Sequence, residues 1–195
     1  SFVGASGVEL LRMLSDASVL KLSDSDWAWL RAYYAKGDPK YVEEIWRAHP
    51  EFHRTNVFNL HPPGDRLENF CGDKREAIPG YPKLGTIGWI HHEYAGELDR
   101  LGDEILARDP NLIIALGNTP IWALTGRTGV SKLRGTTCLS SHCVSDYKLL
   151  CCYHPAAVIR QYELRPVTVI DLHKSIREAT FPEVRRPSVS IWVEP

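Results

Sequence analysis

Apolar residues recur along this chain with two periods, one near 3.6 and one of 2, and the switches between them divide it into helices and strands. Leu10, Leu11 and Leu14 follow Ser6-Gly7-Val8-Glu9, which has capping-box spacing, so a helix is predicted over about residues 7–16. Asp24 opens a second helix through Trp27, Leu30 and Tyr34 to Gly37. Asp38-Pro39 starts a third, through Val42, Ile45 and Trp46 to His49-Pro50. Thr55-Asn56-Val57-Phe58-Asn59-Leu60 is a strand-like run that stops at His61-Pro62-Pro63-Gly64. From Pro62 to Gly88 no period is sustained, and so long a loop in a compact domain points to function. Ile90, Tyr94, Leu98, Leu101 and Ile105 then mark an amphipathic helix that ends near Asp109-Pro110.

The most continuous apolar run, Asn111 to Leu116, reads as a strand buried on both faces. Gly117-Asn118-Thr119-Pro120 turns it into a short helix closed by Gly126, and strand, glycine turn and helix N-terminus together form a candidate phosphate cradle. Thr136 to Ser140 is strand-like. Leu149-Leu150-Cys151-Cys152-Tyr153 is a second buried strand, and it stops at His154-Pro155. A helix is predicted from Pro166 to about Ala179, followed by a linker from Phe181 and a strand-like run from Ser188 to Val193. Strands alternating with helices make this an α/β chain, and 195 residues are enough for one domain with its own core.

Composition narrows the function classes. With 44% apolar and 24% charged residues the chain is ordinary for a globular protein, and no apolar run approaches the roughly eighteen residues that span a bilayer. Ser1-Phe2-Val3-Gly4-Ala5-Ser6-Gly7 lacks the basic and long apolar regions of a signal peptide. Five cysteines, without CxxC pairs, fit a reduced, cytosolic set of thiols rather than a metal site. The net charge of −1 hides an asymmetry: residues 1–126 carry 13 basic and 18 acidic side chains, residues 127–186 carry 10 and 5. Lys132, Arg134, Arg160 and Arg165 lie in that basic part, near the end of the His154 strand, where phosphate contacts would serve a site.

A lone histidine at a strand end is more often a half-buried structural residue than a site residue, although open α/β sheets bind ligands beyond the carboxyl ends of their strands. Its companions favour the second reading. In order along the chain stand Phe2-Val3-Gly4, Thr55-Asn56 leading to Pro62-Pro63-Gly64, Ala115-Leu116-Gly117, Arg134-Gly135 and His154-Pro155 with Arg160 following. In that collinear order they resemble the uracil-DNA glycosylase superfamily, nearest to its thermophile-type and phage-encoded branches, over nearly all of residues 1–179.

The resemblance implies a three-layer α/β/α sandwich with a short, mainly parallel central sheet over residues 1–180, with 181–195 as an extended tail. It also implies an enzyme that flips a uracil or a related modified pyrimidine out of single- or double-stranded DNA and cuts its N-glycosidic bond without a cofactor. By that likeness Phe2 stacks on the base and Asn56 reads its edge, since an amide offers both a donor and an acceptor. His154 stabilises the departing base. Gly117, Asn118, Lys132, Arg134 and Arg160 lie near DNA, and Val158 and Ile159 wedge into the duplex. Departures are visible too: Leu60 replaces the cysteine before Pro62-Pro63-Gly64, the iron-sulfur cysteines are missing, and Ala156 replaces a serine. The family's first strand and first catalytic motif would precede Ser1, and the tail resembles a linker into a DNA polymerase region. The alternative is an inactive module of the same fold that binds DNA or a replication partner. An unrelated phosphate-ester enzyme using the Gly117-Asn118 turn is a third reading.

Overall fold

The computed structural model describes residues 3–185; Phe2 and the strand-like run 188–193 lie outside the described residues. Three helices come first: α1 (Ala5–Asp16), α2 (Asp24–Lys36) and α3 (Lys40–Ala48). The cap of α2 is Ser23, one residue earlier than the pattern suggests. Its hydroxyl accepts from the Asp26 N–H at 3.2 Å while the Asp26 carboxylate accepts from the Ser23 N–H at 2.8 Å, a reciprocal capping box. In α1 the expected Ser6–Glu9 box is replaced. The helix starts two residues earlier behind Gly4, and the buried Glu9 carboxylate instead accepts from Arg165 Nε at 2.6 Å.

The loop from Pro62 contains 3-10 turns at Pro63–Asp65, Leu67–Phe70 and Lys74–Glu76 and one short antiparallel ribbon, β1 (Cys71–Gly72) with β2 (Trp89–Ile90). Ile90 therefore belongs to a strand, and the amphipathic helix α4 begins five residues later (Ala95–Arg108). Then follow β3 (Ile113–Leu116), α5 (Asn118–Thr125), α6 (Val130–Leu133), β4 (Thr137–Ser141), β5 (Ser145–Cys152), α7 (Pro155–Arg160) and α8 (Arg165–Glu178). The short α6 and α7 carry no apolar periodicity long enough to be read from sequence.

The main sheet has the order β3-β5-β4. β3 runs parallel to β5, with Ile113 opposite Leu149 and Leu116 opposite Cys152, and β4 runs antiparallel to it, with Thr137 opposite Leu150. The sheet among the described residues is thus mixed rather than mainly parallel. The reason is local: only three residues separate β4 from β5, and a connection that short returns the chain antiparallel. Alternate residues of β5 enter different clusters, as the two-residue strand period requires. Leu150 and Cys152 pack with α1, α3 and Leu172 of α8, whereas Leu149 packs with Leu98, Leu101 and Ile105 of α4 and Trp122 of α5. Burying each such side chain contributes about 1.5–3 kcal/mol, so β5 is the axis of the core.

The stretch after α8 is held down rather than free. Lys148 of β5, fully buried, donates from Nζ to the carbonyls of Phe181 and Glu183 and lies 3.5 Å from the Glu178 carboxylate. No helix among the described residues is long and apolar enough to cross a membrane, and all five cysteines are free thiols.

Candidate functional site

The parallel pairing of β3 with β5 brings their carboxyl ends side by side, and there Gly117 meets His154. The Gly117 N–H donates to the Cys152 carbonyl at 2.9 Å. Gly117 has φ +91°, and a Cβ on it would lie 3.0 Å from the His154 Cβ, so both backbone and contact demand glycine. His154 itself caps α7, its Nδ1 accepting from the Ala156 N–H at 3.1 Å. A neutral imidazole that accepts at Nδ1 carries its proton on Nε2. Burial pushes its pKa below the usual imidazole value, and the nearby Arg160 charge pushes the same way. His154 is therefore a neutral N–H donor at neutral pH.

Thr55 to Leu60 does not form the expected strand. Its backbone groups go to side chains of α4 instead of to a ladder. Arg100 Nη2 donates to the carbonyls of Asn56 at 2.7 Å and Val57 at 3.1 Å, and the Asn59 N–H donates to the Glu97 carboxylate at 2.8 Å. Val57 is buried, and Phe58 packs edge-on against Phe70 with ring centroids 5.4 Å apart. Asn56 is half-buried, and no hydrogen bond among the described residues claims its side-chain amide.

His154 and Asn56, 98 positions apart in sequence, line one cavity of about 1210 Å³ together with Gly117, Asn118 and Phe58. Small-molecule sites usually measure about 300–1,000 Å³, so this one is roomy enough for a nucleotide and more. It continues along β3, whose outer edge faces it; Leu112, Ile114 and Leu116 line it and are only half-buried. An amide and a neutral N–H donor thus line one concave space, which suits recognition of a planar polar edge and stabilisation of negative charge.

The remaining predicted residues divide. Lys132 on α6 and Arg160 and Ile159 on α7 are exposed. Asn118 is exposed at the start of α5, but its Oδ1 accepts from the Gly129 and Val130 N–H groups at 3.0 and 2.8 Å, so this oxygen ties down the loop before α6. Val158 cannot be a wedge. It is fully buried on the inner face of α7, within the cluster that holds Leu150 and Leu172. Arg134 is not turned to phosphate either: its guanidinium grips the buried Asp171 carboxylate with two hydrogen bonds of 2.6 Å. Arg165 is similarly committed, to Glu9 and Asp16. Buried carboxylates that the pattern could not reveal took up two of the four expected cations.

The α4 residues Glu97, Arg100 and Glu104 are the part of the site that sequence reasoning missed. Their i, i+3 and i+4 spacing was visible, but such spacing ordinarily marks a solvated helix face. No family model matches the chain, and no curated protein matches it.

Proposed function

We propose that this chain is a DNA glycosylase that flips out uracil or a related modified pyrimidine and hydrolyses its N-glycosidic bond, leaving an abasic site. The observation that carries the reading is the neutral His154, an Nε2–H donor, lining the same cavity as the Asn56 amide.

When the glycosidic bond breaks heterolytically, its electron pair passes to the base and the negative charge spreads to the pyrimidine O2. The sugar cation then takes up water, and the proton that this water releases balances the charge on the departed base. A donor aimed at O2 stabilises charge present mainly in the transition state, and one such donor is worth about 3 kcal/mol, or roughly 10²–10³ in rate. A neutral imidazole suits this better than an imidazolium, because it donates without handing over its proton. Asn56 reads the base through a donor and an acceptor on one amide, the pairing that uracil N3–H and O4 require. The base must leave the stack to reach either residue.

Lys132 and Arg160, both exposed, are the phosphate-contacting candidates among the predicted residues, with Ile159 the remaining wedge. The finer fold reading, a three-layer α/β/α sandwich, is supported by clusters on both faces of β5. A further parallel strand on the β3 edge that is unpaired among the described residues would complete its sheet. The apolar run 112–116 has none of the charges, prolines or bulges that normally protect a strand edge. DNA is the partner proposed, in the cytoplasm, with a polymerase region as a second candidate.

A uracil-containing oligonucleotide incubated with the protein and then treated with alkali should break at the uracil. Salt-dependent DNA binding with no abasic product on uracil or any modified pyrimidine would favour the inactive module instead.

A further inference from the structure

We infer that Arg100, clamped between Glu97 and Glu104 on α4, is a positioning residue that sets Asn56 in the wall of the cavity. The inference rests on the glycosylase reading only for what Asn56 does, not for how it is held.

A segment outside any ladder must satisfy its backbone groups elsewhere or lose its fixed course. For the Asn56 and Val57 carbonyls and the Asn59 N–H that elsewhere is one face of α4. Arg100 Nη2 takes the Asn56 and Val57 carbonyls. Its Nη1 donates to Glu104 at 2.7 Å and its Nε to Glu97 at 3.1 Å, so all three guanidinium nitrogens are engaged. The carboxylates extend the grip: Glu104 accepts from the Thr55 hydroxyl at 2.7 Å and pairs with His53 Nε2 at 2.6 Å, and Glu97 accepts the Asn59 N–H. His53, Thr55, Asn56, Val57 and Asn59 are thus all attached to three side chains one turn apart.

That helix is a firm reference. Leu98, Leu101 and Ile105 anchor its other face in the cluster that contains Leu149 and Trp122. The guanidinium holds two successive carbonyls with one nitrogen while two carboxylates prevent it from swinging, a geometry a lysine ammonium cannot reproduce. Asn56 is bound through its backbone, leaving its amide for a ligand. Displacement of such a reader by an ångström costs on the order of 10²-fold in rate.

The test is a double-mutant cycle on uracil excision in the whole chain. Arg100→Ala should lower kcat/KM by roughly 10- to 100-fold and Arg100→Lys by less. In an Asn56→Ala background, Arg100→Ala should cost less than about threefold more, because the residue it positions is gone. Equal factors in both backgrounds would overturn the inference and make Arg100 a general stabiliser. Should the wild type excise no uracil, amide exchange gives an answer independent of activity. Arg100→Lys should speed exchange at Asn59 while leaving the amides of α4 protected; unchanged exchange at Asn59 would overturn the inference as well.

Discussion

The Ala156 N–H donates to His154 Nδ1 at 3.1 Å, the geometry of a neutral imidazole that carries its proton on Nε2. A protonated Nδ1 could not accept it, so capping and imidazolium formation compete. Burial and the Arg160 charge act in the same direction.

A pH dependence follows with a definite sign. The folded-state pKa of His154 lies below its unfolded value of about 6.5. As pH falls below about 6.5, the unfolded chain takes up a proton that the fold refuses, so the stability contributed by this residue is progressively lost down to the folded pKa. Activity needs the neutral form, and the acid limb of kcat should therefore fall below pH 6.5. A pH–rate profile, with the melting temperatures of wild type and His154→Gln compared across the same range, checks both. An acid limb at or above pH 6.5 would contradict the assignment.

Gly117→Ala should damage the site through its neighbour. The φ of +91° alone costs a side chain about 1–3 kcal/mol, and the new methyl would meet His154 at 3.0 Å. At about 2–4 °C per kcal/mol for a domain of this size, the melting temperature should drop by several degrees. Turnover measured well below that temperature should also fall, because His154 is displaced. Loss of stability alone would show that the contact is structural.

Arg134 and Arg160 should part company under substitution. Arg134→Ala leaves the Asp171 carboxylate buried and unpaired, at a cost of about 2–4 kcal/mol, towards the low side because the guanidinium is partly solvated. It should leave the salt dependence of DNA binding unchanged. Arg160→Ala should hardly move the melting temperature, yet reduce the slope of log affinity against log salt by about 1. Thermal melts and salt titrations of both variants decide the matter, and the reverse pattern would return Arg134 to the DNA surface.

What could be read from sequence was what a repeat or a cap writes locally. The helical spacing of Leu98, Leu101 and Ile105 and the uninterrupted runs at 112–116 and 149–152 each produced the expected element. Thr55 to Leu60 failed because a strand-like run becomes a strand only when a neighbouring strand takes its backbone groups, and here Arg100 and Glu97 take them. Val158 and Arg134 failed for a related reason. Whether an apolar or a basic side chain faces out depends on what packs opposite, and Leu172 and Asp171 of α8 were not legible as those partners. The pairing of His154 with Gly117 and Asn56 in one cavity came from parallel strand register and the α4 clamp, which no local pattern records.

The most direct measurement is the separation of binding from chemistry in His154→Ala. With uracil-containing DNA, kcat should fall on the order of 10² or more while the Kd for the same DNA stays within about twofold, since the lost donor acts on charge that develops only as the bond breaks. Wild-type turnover in the variant, or an equal loss of kcat and of DNA affinity, would contradict the account and return His154 to a purely structural cap of α7.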